Sequence, residues 1–383
     1  SWQRCHGFMP FASLFTVKSY LIQSPANTFM SNTHYTTALR YPLALLVVFI
    51  QTHNAQWQLI ETGSAPTLAS FLSGILPTFA VPLFFALSGY LFFYKVSAFS
   101  LDCYVGKVRR RMLTLAVPYL LWNLIAFGLY ALQSKLSGHA LAYPFSPELW
   151  WNCRELAAPF TNVWGFTVGA STAPIQQPLW FMRDLMLIVL LSPLIYGLLR
   201  RGGWWKLLVL GAVYYTGLWP NPGGISFMGI WYFSLGAWFS ITRRDVVSFT
   251  RPWLIPAAVL TPLCAIVLTW FGMGHSTVNQ VAQSIYVLSA MTLAIHAAHI
   301  FASTHTPSAW LAHSSFFIYA AHTIVLLPLT AVVARSVAGS GMLLQGVAFV
   351  GCALLATMIC AATYRVLHRF MPRLSAPLTG QYK

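Results

Sequence analysis

Arg40 and Gln51 are the first two residues whose spacing has chemical content. Eleven residues at 100° each return to within about 20° of the starting direction, so on one helix they share a face about 16 Å apart along the axis. Both lie in the apolar run RYPLALLVVFIQTHN. An arginine at the mouth of such a run can grip a phosphate or stabilise developing negative charge, whereas a carboxamide deeper on the same face orients a ligand but has no proton to exchange near neutral pH. His53 points about 200° away from Gln51 on the same helix and does not stand in for it.

Four further groups have the chemistry of a site, each with a plainer reading beside it. Lys107, Arg109, Arg110 and Arg111 place four cations within five positions. They are a topogenic cluster at a cytoplasmic membrane face or a clamp for the phosphates of a nucleotide-like donor. Arg183 and Asp184, beside Trp180, are a helix-pinning ion pair or pocket residues. Ser88, followed by Gly89, either lets helices approach closely or faces a substrate, and it has no base beside it in sequence. His322 is an intramembrane imidazole, either a contact in the active cavity or a core histidine with its hydrogen bonds made. His296 and His299 share a helix face but have no carboxylate or thiol partner, which favours hydrogen bonding over a metal.

The elements that must position these groups follow from composition. Charged residues make up 7% of 383, and hydrophobic residues 57%. A soluble chain carries about a quarter charged residues, so this is a polytopic, all-α membrane protein. Apolar blocks predict ten spans, near 38–55, 70–94, 112–133, 178–199, 204–219, 223–242, 253–272, 280–302, 310–334 and 342–364. The fifth and sixth, joined by Pro220–Gly224, read alternatively as one re-entrant hairpin. With ten spans, 18 of the 22 Lys and Arg fall on one side and three on the other, with Arg183 inside a span. Both termini are therefore expected in the cytoplasm. The net charge of +16 is interleaved with apolar blocks, which argues against nucleic acid as a partner.

Residues 1–29 make a poor signal peptide. Met30 reads as a natural start, so this stretch is taken as an extension outside the functional unit. The domain is expected over 30–366, with 367–383 as a cytoplasmic tail. The longest polar stretch, 134–177, carries Trp150, Trp151, Glu148, Arg154, Glu155 and Trp164, and its aromatics are expected at the membrane interface. The six cysteines have no metal-like spacing. Cys352 and Cys360 would be about 12 Å apart on one helix, too far for a disulfide.

Several of these residues lie in motifs that resemble the acyltransferase-3 family of integral-membrane O-acyltransferases, bacterial enzymes that acylate sugars and surface polysaccharides. Arg40 matches the arginine of the family's R-x10-H motif. It is followed in order by PLFFALSGYLFF, RRRMLTLAVPYLLW, PLWFMRDLMLIVLLSPLI and SSFFIYAAH, and the likeness extends from about 36 to 366. Each motif alone is weak; five in order are specific. The resemblance implies a bacterial inner-membrane enzyme that transfers an acyl group, acetyl by preference, from acetyl-CoA as a donor substrate, with no permanently bound cofactor and no metal. The acceptor would be a hydroxyl of a glycan or lipid-linked saccharide. It implies catalytic roles at positions 40 and 51, donor contacts at Lys107 and Arg109–Arg111, and a substrate pocket with Ser88, Trp180, Arg183, Asp184 and His322.

The departure is at position 51. Where the family has its motif histidine, this chain has Gln51, which cannot act as a general base. Two origins are open, an engineered inactivation, which is preferred, and a lineage that lost or relocated the base. Two other function classes follow from the same sequence. A transporter or flippase of lipid-linked sugars commonly shows inverted repeats, and none is visible here. A non-catalytic membrane binder is supported by Gln51 alone. The oligomeric state is not legible in the sequence.

Overall fold

The computed structural model describes residues 25–55, 57, 67–96, 99–138, 150–151, 160–161, 167–168, 173–200, 204–216, 226–271 and 277–381. Residues 1–24, most of the stretch 134–177 (with Glu148, Arg154, Glu155 and Trp164), Cys5, Cys153 and the turn at 220–224 lie outside the described residues. The described chain is helical apart from one short antiparallel pair, Phe160–Thr161 with Thr167–Val168.

The helices are α1 (Pro25–Ala55), α2 (Leu68–Phe93), α3 (Leu101–Ser137), α4 (Trp180–Leu190), α5 (Ser192–Arg200), α6 (Trp205–Tyr215), α7 (Phe227–Ile241), α8 (Val246–Phe271), α9 (Thr277–Thr304), α10 (Ala309–Val337), α11 (Met342–Phe370) and α12 (Pro372–Thr379). Among the described residues six of them, α2, α3, α8, α9, α10 and α11, are long and apolar enough to cross a bilayer, and α4 with α5 makes a seventh if the bent pair is one span. Every expected span coincides with a helix or helix pair, but α1, which carries the first, is not among those long and apolar enough to cross, and α6 and α7 have only 11 and 15 residues, short of the about 20 that a straight crossing takes. The chain is a multi-pass membrane protein. Its outward apolar surface fits that reading, with Ile255, Trp270 and Leu343 each more than 70% exposed.

Two expected spans are broken rather than continuous, and proline is the cause in each. α4 and α5 meet at 59°, where Pro193 cannot donate to the preceding turn. α2 opens with a π turn over Phe71–Ile75 and a 3-10 turn over Leu76–Phe79 around Pro77 before running as α-helix from Ala80. α3 is bounded as its sequence dictates. The Ser100 hydroxyl accepts from Cys103 N at 3.2 Å, Asp102 sits in the first turn, and Gly138 closes the helix in the left-handed region.

The core is built on close backbone contacts. A Cβ on Gly89 would lie 2.0 Å from Phe233 O, and one on Gly236 would lie 1.8 Å from Ala86 O, so α2 and α7 touch backbone to backbone at two reciprocal glycines. Ser240 Oγ also donates to Tyr90 O at 2.7 Å across this seam. Lipid offers no hydrophobic drive for pairing two apolar helices, so such packing and hydrogen bonding hold them. α1 runs through the boundary expected at residue 30 and packs against α10, α9, α11 and α2. Cys264, Cys352 and Cys360 are buried free thiols.

The segment expected as a tail is part of the bundle. α11 continues to Phe370, the chain turns at Met371, and α12 packs back on α3, α11 and α10. Trp122 Nε1 donates to Leu378 O at 2.9 Å, and Gln381 Nε2 donates to His313 O at 3.1 Å.

Candidate active site

Two cavities occupy opposite ends of α1 and α2. The larger, about 630 Å³, takes Thr36 and Arg40 from α1 and the 84–92 half of α2. The smaller, about 390 Å³, takes Ile50 from α1 and Thr78, Val81 and Pro82 from the other half of α2.

The larger cavity is cationic. Arg40 from α1 faces Lys107, Arg110 and Arg111 from α3, and His313 of α10 adds an imidazole at the rim. No described acidic residue lines it. Lys107 is anchored as well as charged, since its Nζ donates to Phe92 O at 2.7 Å and lies 5.4 Å from the Phe92 ring centre. Ser88 is half-buried in the wall, beside the apolar side chains of Phe84, Leu87 and Phe181. A ligand with an anionic head and a slender, largely apolar arm suits these surfaces. Arg109, expected with the other cations, does not line the cavity; it stands two residues, about 200° around α3, from both Lys107 and Arg111.

Among the described residues no charged side chain lines the smaller cavity. Trp180, Tyr214, Tyr215 and Tyr232 supply aromatic surface, and Gln280, Gln283 and Ser284 supply amides and a hydroxyl. The Tyr215 and Tyr232 hydroxyls lie 3.2 Å apart. Aromatic faces with amide donors and acceptors suit a neutral polyhydroxylated ligand.

Gln51 is buried, 9% exposed, and lines neither cavity, although Ile50 immediately before it lines the smaller one. Arg40 and Gln51 therefore do not face a common cavity. His53 is half-buried on the same helix.

Arg183 and Asp184 were expected in a substrate pocket, and they line neither cavity. Both are 2% exposed. Arg183 Nη2 and Nε reach Asp184 Oδ1 at 2.9 and 3.1 Å, Asp184 Oδ2 accepts from Ser226 N at 3.1 Å, and Arg183 Nη1 donates to Trp151 O. The pair joins α4 to the start of α7, which is the helix-pinning alternative. Its neighbours do the lining, Phe181, Met182 and Leu185 toward the cationic cavity and Trp180 toward the aromatic one. Gln176 fixes this entry to α4, accepting no slack between α3 and α10. Its amide N donates to Asn123 Oδ1 at 3.1 Å, and its Nε2 donates to Ala320 O at 2.6 Å.

His322 also lies outside both cavities. It is fully buried in α10, with Nδ1 3.0 Å from Ile318 O and Nε2 without a hydrogen-bond partner among the described residues. His296 is hydrogen-bonded, its Nε2 3.0 Å from Thr250 Oγ1. Among the described residues no group of three or more His, Cys, Asp or Glu comes together. Sequence reasoning missed His313, Thr114, Thr379, Gly380 and Gln381 in the cationic cavity and the three tyrosines in the other. His313 had a signal, since it directly precedes SSFFIYAAH; the C-terminal residues had none.

The helices and these two cavities, one cationic and one aromatic and uncharged, belong to a multi-pass membrane protein. Residues 34–366 match the acyltransferase domain of the acyltransferase-3 family, and the chain belongs to that family. Succinoglycan biosynthesis protein ExoH of Rhizobium meliloti (strain 1021) is 31% identical over 183 residues, which cover 47% of this chain and 45% of that protein. The chain thus matches less than half the length of this curated relative. No solved structure matches.

Proposed function

We propose that this chain transfers an acyl group, acetyl by preference, from acyl-CoA to a hydroxyl of a surface or exopolysaccharide sugar, presented as a glycan or lipid-linked saccharide. The observation that carries the reading is the convergence of Arg40, Lys107, Arg110 and Arg111 on one cavity with no acidic lining among the described residues. Charge-assisted hydrogen bonds from such a set suit the phosphates of coenzyme A, and the apolar wall beyond them suits its acyl-bearing arm. The uncharged aromatic and amide cavity suits the acceptor sugar. The name of the relative, a succinoglycan biosynthesis protein, supports a polysaccharide acceptor.

In this reading it is in the parent enzyme, with the motif histidine at position 51, that a base removes the acceptor hydroxyl proton; the oxygen attacks the thioester carbonyl, the C–S bond breaks, and the coenzyme A thiolate leaves and takes up a proton. Arg40 holds a donor phosphate or stabilises the developing negative charge. Gln51 can hydrogen-bond but cannot accept the proton, so this chain binds both substrates and turns over slowly. The functional unit is taken as residues 30–366 together with the docked C-terminal segment, in a bacterial inner membrane, with ten crossings and both termini cytoplasmic. The 18 cations on one side of that layout support the orientation.

The test is radiolabelled acetyl-CoA with purified protein in nanodiscs and an exopolysaccharide or lipid-linked oligosaccharide. Slow transfer by this chain and fast transfer by Gln51→His support the reading. Tight coenzyme A binding with no transfer by either would favour the non-catalytic binder that Gln51 by itself suggests.

A further inference from the structure

Pro118 lies inside α3 and has no amide hydrogen. The carbonyl of Thr114, four residues earlier, therefore loses its helical donor. The C-terminal segment docks at this carbonyl. Gly380 follows α12 with φ 65°, and a Cβ there would lie 2.2 Å from Thr114 O and 3.2 Å from Thr114 Cα. Glycine is required twice, by the left-handed backbone and by the close approach. The segment is latched on both sides of this contact, by Trp122 Nε1 to Leu378 O on α3 and by Gln381 Nε2 to His313 O on α10. Thr114 lies one helical turn beyond Arg110 and Arg111, and all three line the cationic cavity together with Gly380 and Gln381.

We propose that the segment Leu378–Gln381 is a positioning element of the cationic cavity. Seated on the carbonyl that Pro118 leaves without its helical donor, it holds the turn that carries Arg110 and Arg111 against the cavity wall. Gly380 and Gln381 act through those arginines and are positioning residues. The kinetic consequence rests on the acyl-CoA reading above; the electrostatic consequence does not.

Ser88→Cys places a thiol in the cavity wall. Its modification rates by an anionic and by a neutral methanethiosulfonate, each corrected for the parent chain with Ser88, give a ratio that reports the local cation field. A wider mouth raises both rates alike and leaves the ratio unchanged, so a merely structural role does not move it. Gly380→Ala should lower the ratio by at least about threefold and weaken coenzyme A binding in the Ser88 parent. Gly351→Ala, where a Cβ meets open space, should change neither. Gln381→Ala removes one latch without a clash, should shift the ratio in the same direction, and serves where Gly380→Ala does not fold. An unchanged ratio in folded Gly380→Ala or Gln381→Ala overturns the proposal. A lowered ratio alongside coenzyme A binding that is insensitive to Arg111→Gln keeps the positioning role and removes the donor reading.

Discussion

Arg183 and Asp184 are adjacent in sequence and paired to each other at 2.9 Å, both almost wholly buried between α4 and the start of α7. Removing one partner of such a pair strands the other charge in a low-dielectric interior, at a cost of about 3–5 kcal/mol. Asp184→Ala should therefore lower the unfolding midpoint sharply, whereas the double change Arg183→Met with Asp184→Leu should recover much of the loss. Coenzyme A affinity of the folded fraction should stay at the parent value, because neither residue lines the cationic cavity. Thermal unfolding and binding measured on the same samples check both statements.

The cation cluster divides by geometry. Replacing Arg110 and Arg111 by Gln together should weaken coenzyme A binding at least about tenfold, given about 1.5–3 kcal/mol per charged hydrogen bond. Arg109→Gln should leave it unchanged, since Arg109 is outside the cavity. Equilibrium binding of coenzyme A to the three proteins decides it; equal affinities would return the whole cluster to a topogenic role.

Position 51 separates binding from turnover. General-base contributions are typically about a hundred- to ten-thousandfold, so Gln51→His should raise turnover by that order with little change in donor KM. His53→Ala should change little, because residue 53 projects away from residue 51 around α1. Steady-state kinetics of the parent and the two variants test this, and activity lost with His53→Ala in both backgrounds would make His53 the base.

Sidedness has its own probe. Cys103 is a half-buried free thiol near the start of α3. In a variant that retains it as the sole cysteine, a membrane-impermeant maleimide should label it from the cytoplasmic side of oriented vesicles and not from the outer side. Outer labelling would reverse the topology.

The sequence by itself determined the class of fold and the approximate places of most of the helices, though not α12. Crossing a bilayer requires long apolar segments with all backbone hydrogen bonds made internally, so hydropathy and the Pro and Gly punctuation mark the elements directly. The breaks at Pro77 and Pro193 and the cap of α3 at Ser100 emerged only with the structure. What the sequence could supply for the site was one-dimensional. Helical periodicity places Arg40 and Gln51 on one face, yet only packing decides that Arg40 opens into a cavity with Arg110 and Arg111 while Gln51 is buried beside a different one. The same holds for Asp184, whose second partner, Ser226 N, is 42 residues away, and for Gly380, read as tail until α12 turned back onto the carbonyl that Pro118 leaves without its donor. Lipid solvates the outside of every apolar helix alike, so no local signal states which neighbour a helix will meet. That choice is made by close backbone contacts such as Gly89 with Phe233 and Gly236 with Ala86, and these exist only once the helices have assembled.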